Sequence, residues 1–402
     1  MQVERPEYMK NKYAILVGDG MADYGIPELG NKTPLEYANT PNMDSVSRNG
    51  LSGLVSTVPD GFAPGSDVAN LSLMGYDPVH YYSGRAPIEA ISMGITLSKQ
   101  DMAFRCNLIT LDNGIMADYS AGHIETQDAC KLINELQENL GSDNIKFYCG
   151  VGYRHLLIIG GFPDGLSCTP PHDITDKKIS SYMPKGPQEE TVISIMQNAK
   201  EILNRSEINK QRISAKKKPA TDIWLWGQGR AIKLPQLRDK YGISGSVISA
   251  VDLVKGLGAL AGLRIRSIPG ATGYLGTNYA GKVAAAIEAL NNEDLVYLHV
   301  EAPDETSHEG SLQKKIQAIE EFDRNVVGEM VRYQKDHDDL RLLVAPDHAT
   351  PVSLKTHTAG PVPYGMCGPG IEAGRVRKYT ENDALGSQPL TGTELFELFI
   401  KG

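Results

Sequence analysis

Lys12-Tyr-Ala-Ile-Leu-Val-Gly-Asp-Gly20 is a continuous apolar run that stops on an acid set between two glycines. Such a run suits a strand covered on both faces, as in the parallel sheet of an α/β protein. The carboxyl ends of these strands form the ligand edge of the sheet, so Asp19 is placed where a binding group belongs. Gly-Asp-Gly alone fits a plain turn equally well. Two later runs repeat the form. Asp294-Leu-Val-Tyr-Leu-His-Val300 leads into Glu301-Ala-Pro-Asp-Glu-Thr-Ser-His308, and Arg341-Leu-Leu-Val-Ala-Pro346 leads into Asp347-His348, with His357 just beyond.

Between the first and second runs lies Val58-Pro-Asp-Gly-Phe-Ala-Pro-Gly-Ser-Asp-Val-Ala-Asn70, a loop rich in Pro and Gly that reaches a serine. The apolar spacing after it predicts a helix, with Ser66 at the N-cap. A lone serine there is most simply a cap. A helix over 41–49 is also predicted, with Pro41 near its start and Gly50 after its end.

After Tyr82-Ser-Gly-Arg-Ala-Pro87 the texture changes. Phe104–Leu111 and Ile115–Tyr119 flank Asp112-Asn-Gly114, a strong hairpin signal. An amphipathic helix to about Leu140, strands at 145–148 and 155–159, a helix at 191–204 and, over 222–230, a strand running into a Gly-rich turn with Arg230 at its tip follow. Residues 206–219, with Lys216-Lys-Lys218, read as a solvated surface loop. From Tyr241 the βα texture returns. The expected organisation is an α/β core with a mostly parallel sheet, residues 1–88 and 240–402, interrupted by an inserted mixed α/β domain at 89–239.

The totals agree with a soluble globular protein of two domains. The chain has 402 residues, 41% hydrophobic and 22% charged, with net charge -9. That balance disfavours a nucleic-acid partner, while metals and a few arginines still allow a phosphorylated substrate. The most apolar long window, Val247–Leu263, carries Asp252 and Lys255 and is short for a membrane span. The N-terminus is charged and polar, so no signal peptide is expected. The five cysteines (Cys106, Cys130, Cys149, Cys168 and Cys367) form no Cys-x-x-Cys and are expected to be free thiols in a reducing compartment. The expected location is cytoplasmic, with no membrane partner.

Three aspartates, three histidines and a serine, all at strand ends or helix starts, are what a two-metal phosphoryl-transfer site needs. Asp19, Ser66, Asp347 and His348 are assigned to one metal; Asp304, His308 and His357 to the other. Metal coordination lowers the proton affinity of a serine hydroxyl and fixes its direction. The mixed oxygen and nitrogen set suits Mn or Zn and holds Mg less well. Taken singly, each residue has an ordinary reading, and Asp304 and His308 form a simple i, i+4 pair.

Here the chain resembles the cofactor-independent phosphoglycerate mutases of the alkaline phosphatase superfamily, in their short archaeal-type form. The matching segments are 15–23, Pro64-Gly-Ser-Asp-Val-Ala-Asn-Leu-Ser-Leu-Met-Gly-Tyr-Asp-Pro78, Ser83-Gly-Arg-Ala-Pro87, Gly152-Tyr-Arg-His-Leu156, Asp304-Glu-Thr-Ser-His308 and Pro346-Asp-His348, which span nearly the whole chain. The resemblance implies an alkaline-phosphatase-like core, two manganese ions, and a phosphoserine intermediate at Ser66 as the catalytic residue. It also implies a separate substrate-binding domain that closes as a lid, and no need for 2,3-bisphosphoglycerate. By position in matching segments, His123, Arg154 and Arg230 are the expected substrate contacts. The chain departs from the long-form pattern in carrying Gly65-Ser66-Asp67 where that form has Asn-Ser-Glu. It also has no lysine between Arg266 and Lys282.

The implied activity is transfer of phosphate between the 2- and 3-hydroxyls of glycerate. A bacterial branch of the same short family has been proposed to phosphorylate homoserine, and the ligands do not separate the two. A metal-dependent phosphohydrolase and a non-catalytic metal-binding protein are the other readings. No GxxxxGK[ST] phosphate loop is found in the sequence.

Overall fold

The computed structural model describes residues 11–386 and 388–402. They form two compact units: residues up to Tyr82 together with Lys233–Gly402, and Ser83–Ile232. The junctions expected at 88/89 and 239/240 therefore shift to 82/83 and 232/233. The cause of the first shift is the helix Arg85–Ser92, whose Ala86 and Ala90 pack on Ala103, Leu156 and Ile158 of the inserted sheet.

In chain order, β1 (Lys12–Gly18) and β2 (Leu51–Ser56) belong to the first unit. The insert holds β3 (Asp101–Asp112), β4 (Ile115–Asp118), β5 (Ile145–Val151), β6 (Arg154–Gly160) and β7 (Asp222–Arg230). The first unit resumes with β8 (Gly245–Ile248), β9 (Arg264–Ile265), β10 (Leu295–Val300), β11 (Leu340–Ala345), β12 (Val362–Cys367) and β13 (Leu390–Thr391). Its sheet has the order β13-β2-β12-β11-β1-β10-β8-β9. β1 lies between β10 and β11 and is parallel to both; β12 runs antiparallel to β11 and β2.

Register decides where the site falls. Val17 pairs with His299 on one side and Ala345 on the other. The three strands therefore end level, and Asp19, the Glu301–His308 segment and Asp347 leave the sheet at one edge. Helices cover both faces, as the continuous apolar runs require. Leu16, Leu298 and Val344 pack with Phe322, Val326 and Met330 on one side. On the other, Tyr13 meets Phe399 edge-on at 5.6 Å and Tyr297 reaches the helix Ser66–Leu73. Each such apolar side chain stabilises the fold by about 1.5–3 kcal/mol.

In the insert, β3 is central, paired antiparallel with β6 and β7 along its length and with β4 at its end. Asn113 and Gly114 both take positive φ (49° and 78°), the conformation the Asn-Gly turn demands. Helices Thr126–Leu140 and Glu189–Arg205 bury Leu132, Leu136, Val192 and Met196 against one face.

Two expectations are corrected here. Residues 206–219 are not simply a loop: Glu207–Ser214 is a helix, capped by the Ser206 hydroxyl accepting from the Ile208 N–H. Polar anchors replace the apolar stripe that would have marked it. Buried Asn209 bonds the Leu203 and Ala220 carbonyls, and buried Arg212 the Ala121 and Lys218 carbonyls. Nor are all the cysteines free. Cys130 and Cys149 are disulfide-bonded, with Cα atoms 5.2 Å apart, and Cys106, Cys168 and Cys367 remain thiols. The pair forms because the helix Thr126–Leu140 lies along β5, a tertiary contact that cysteine spacing does not reveal. The argument from free thiols to a reducing compartment falls with it.

Candidate metal centre and nucleophile

Asp19 follows β1 and is 1% exposed; its N–H donates to the Val300 carbonyl at 2.9 Å, holding it beside the end of β10. Gly20 has φ 61°, and a Cβ there would stand 2.6 Å from both Asp304 Oδ1 and Thr350 Oγ1. That is why a glycine follows Asp19: the chain turns left-handed where another ligand loop presses against it. Asp347 and His348 follow β11 and are fully buried. The Gly20 N–H (3.1 Å) and His348 N–H (2.9 Å) both donate to Asp347 Oδ1. Asp304 and His308 lie one turn apart on the short helix Ala302–His308.

Ser66 is the first residue of its helix; Gly65, extended and without a capping side chain, takes the N-cap position expected for the serine. Ser66 Oγ lies 3.1 Å from His348 Nε2. His348 Nε2 is 3.6 Å from Asp19 Oδ1 and 3.5 Å from Asp347 Oδ2. The first predicted ligand set is thus brought together. So is the second: His308 Nε2 is 3.0 Å from both Asp304 Oδ2 and His357 Nε2, and His357 Nε2 is 3.5 Å from Asp304 Oδ1. One ligand atom each of Asp304, His348 and His357 also falls within 4.8 Å of the others, so His348 stands between the two sets.

The hydrogen bonds fix the ring nitrogens. Thr350 Oγ1 donates to Asp304 Oδ1 at 2.5 Å, so it accepts from His348 Nδ1 at 3.2 Å. The Lys355 carbonyl accepts from His308 Nδ1 at 2.9 Å. Both rings therefore turn Nε2 toward the carboxylates, the arrangement of metal-ligating histidines.

Charge makes the same point. Burial, then the Asp347, Asp304 and Glu301 carboxylates, push Asp19 well above the usual carboxylate range. Burial would raise Asp304 too, but His308 and His357 hold it well below. Burial lowers His348 to about 4, whereas the bond to Asp304 outweighs burial at His308 and raises it to about 9. Asp19 Oδ1 is a buried acceptor with no hydrogen-bond partner. Three buried carboxylates with donors about 3–3.5 Å apart fit ions held at about 2 Å from each ligand. A divalent cation would balance the charge that burial leaves uncompensated.

Several residues that build the site were not singled out from the sequence. Asn70, fully buried, donates to the Ser66 carbonyl and to Asp347 Oδ2, both at 2.8 Å, and accepts from the Tyr297 hydroxyl at 2.6 Å. Its spacing from Ser66, i to i+4 on a helix, was the available signal. His299 Nε2 lies 3.1 Å from Asp19 Oδ2, and a histidine inside an apolar strand was a signal as well. Thr57 donates to the Asp347 carbonyl at 2.5 Å.

The expected substrate residues all lie in the insert and do not share one place. Arg154 pairs with Asn107 on β3 and Arg230 with Met102, five residues apart or about 17 Å along a strand. Arg230 is committed to Asp164 Oδ1 (2.6 Å) and the Phe162 carbonyl (2.8 Å). Arg154 is exposed, its guanidinium 5.7 Å from the centre of the Tyr153 ring. Exposed His123, with φ 50°, precedes the helix whose Thr126 Oγ1 accepts from the Gly152 N–H at 3.0 Å. His123 and Arg154 therefore share one end of the insert.

The sequence profile described as 2,3-bisphosphoglycerate-independent phosphoglycerate mutase matches residues 47–209. A Methanosarcina mazei protein of that name is 53% identical over 357 residues, 88% of this chain and 90% of its own length. The chain belongs to this mutase family. A Methanothrix thermoacetophila relative with the same name is 48% identical across 97% of this chain and 100% of its own. A solved structure of a Pyrococcus horikoshii protein is 28% identical, with TM-score 0.80 over 97% of this chain and 96% of that one. The cofactor-independent phosphoglycerate mutase of Thermoplasma acidophilum shares the fold at TM-score 0.63 and 24% identity, covering 98% of this chain and 100% of that one. As a 2,3-bisphosphoglycerate-independent mutase the chain is an enzyme, an isomerase of the intramolecular phosphotransferase kind. Its family and its two ligand groups together imply a divalent metal. Among the described residues, no helix is long and apolar enough to cross a membrane.

Proposed function

We propose that this mutase interconverts 3-phosphoglycerate and 2-phosphoglycerate through a phosphoserine at Ser66, with two divalent ions. Asp19, Asp347, His348 and Ser66 hold one ion and Asp304, His308 and His357 the other. Manganese suits this mixed donor set, zinc is accommodated, and magnesium is held less well. The ions supply charge neutralisation on the phosphoryl oxygens and a lowered proton affinity at the serine hydroxyl. Ser66 Oγ forms a bond to phosphorus as the bond to the glycerate C3 oxygen breaks, and that oxygen leaves protonated. Glycerate then offers its C2 hydroxyl, which takes the phosphoryl group back as Ser66 regains its proton. The first-turn N–H groups of the Ser66–Leu73 helix favour the anion on Ser66. In the insert, His123 and Arg154 bind substrate, Arg154 pairing with the carboxylate; Arg230, held by Asp164, has the weaker case.

The observation that carries the reading is Ser66 Oγ standing 3.1 Å from His348 Nε2, beside the buried Asp19 and Asp347. The test is phosphorus NMR of the purified protein with manganese and 3-phosphoglycerate, wild type against Ser66→Ala. Wild type should form 2-phosphoglycerate with little free phosphate, and the variant none. Mass spectrometry of quenched enzyme should find phosphate on Ser66. Free phosphate as the main product would point to a hydrolase, and phosphate on another residue would refute the mechanism.

A further inference from the structure

We infer that Lys315 is a positioning residue for the metal centre, pinning together the two loops that carry its ligands. The inference rests on the two-metal reading of the site. Lys315 lies on the helix Leu312–Phe322 and is 0% exposed. Its ammonium has three protons and finds three acceptors: the Ala22 carbonyl at 3.1 Å, Asp23 Oδ2 at 2.8 Å and the Thr350 carbonyl at 2.9 Å. Ala22 and Asp23 belong to the loop that leaves β1 at Asp19. Thr350 belongs to the loop that leaves β11 at Asp347-His348. One side chain from a third element thus ties both.

The tie extends to the ligands themselves. Thr350, whose carbonyl Lys315 holds, donates its hydroxyl to Asp304 Oδ1 and accepts from His348 Nδ1. It therefore orients one ligand from each set. Asp23 is fixed from other sides as well. Its Oδ2 accepts from the Val352 N–H at 3.0 Å, a second link between the loops, and its N–H donates to Glu381 Oε1 at 3.1 Å. Stability alone does not call for a lysine here, because a buried ion pair is often no better than an apolar filling of the same volume. A lysine that satisfies two backbone carbonyls and a carboxylate from different loops fixes their separation, which an apolar side chain cannot do. Outer-shell hydrogen bonds of this kind typically change metal affinity by about 10–100-fold.

The test uses full-length metal-free protein titrated with manganese, with melting temperatures recorded with and without the metal. Lys315→Met should weaken manganese binding by about 10–100-fold and shrink the metal-induced rise in melting temperature, which reports affinity for the folded state. Asp23→Asn keeps the lysine and both carbonyls. It should weaken binding in the same direction and by less, and it decides the matter should Lys315→Met fail to fold. Unchanged manganese affinity in a folded variant, with only the metal-free melting temperature lowered, would make Lys315 a scaffold residue and overturn the inference. A wild type that binds no manganese would overturn the two-metal reading beneath it.

Discussion

Replacing Asn70 by leucine should uncouple the Ser66–Leu73 helix from the proposed metal centre. The side chain is buried, and leucine keeps its branched four-atom outline while removing three hydrogen bonds. The bond to Asp347 Oδ2 goes to a charged acceptor, worth about 1.5–3 kcal/mol. The Tyr297 hydroxyl, fully buried, loses its acceptor, which costs about 1–3 kcal/mol. Together the metal-free protein should lose about 4 kcal/mol of stability. Adding Tyr297→Phe removes the stranded hydroxyl and should recover about 1–3 kcal/mol, a coupling of the size seen between residues in contact. It should not recover function, because Asp347 Oδ2 is still unheld. Manganese affinity should fall about 10–100-fold in both the single and the double variant. The assays are urea unfolding followed by circular dichroism, manganese titration, and turnover by phosphorus NMR. Wild-type affinity and turnover in a folded Asn70→Leu protein would refute the claim that this residue orients Asp347.

Two further predictions concern the insert. Arg154→Ala should lower formation of 2-phosphoglycerate by about tenfold to a hundredfold, the value of one charge-assisted pair made in the transition state; an unchanged ratio of 2-phosphoglycerate to free phosphate at full activity would make Arg154 scaffold. Burial, with Arg154 nearby, lowers His155 to about 3, and its Nδ1 accepts from the Gly150 N–H. The unfolded chain takes up this proton below about pH 6.5 while the folded insert refuses it, so stability is full above that pH and falls toward pH 3 by about 1.4 kcal/mol per pH unit. His155→Asn, which keeps an acceptor at that position, should remove this slope in urea unfolding read by fluorescence. Trp224 and Trp226 are the chain's only tryptophans and both lie in the insert; equal slopes would refute the assignment.

The parallel core was legible because its signal is local. β1, β10 and β11 are apolar but for Lys12, His299 and Arg341, and each leads to an acid just beyond its end. β2, β12 and β13 were not read: Leu51–Ser56 and Leu390–Thr391 are short, and Val362–Cys367 carries Pro363 and Gly365. Their strand character comes from pairing, Val55 with Val362 and with Leu390, which no local pattern announces. The candidate ligand residues stood out in the sequence because few structural roles call for an aspartate or histidine at a buried strand end. Asn70, Thr350 and Lys315 were not, because each is an ordinary helix or loop residue until the fold supplies its partner from far along the chain.

Ser66 shows how the structure changes the weight of a sequence reading. Read as an N-cap, it would turn its oxygen toward the N–H groups of the next helical turn, and a hydroxyl so engaged is poorly placed to attack phosphorus. In the folded chain the cap position falls to Gly65, whose backbone is extended and which offers no side chain to the helix. Ser66 moves one residue inside, where no capping bond claims its hydroxyl, and that hydroxyl faces His348 instead. The helix still presents the N–H groups of its first turn to whatever Ser66 carries, and an anion there is favoured by about 0.3–1 kcal/mol or more when partly buried. The same one-residue shift that removes the serine from the cap position leaves its hydroxyl available for the nucleophilic role proposed for it. At Gly65 a Cβ would stand 2.8 Å from Asp67 Oδ1, which accepts from the Val68 N–H in the same turn, so a larger residue there would press on the carboxylate beside Ser66.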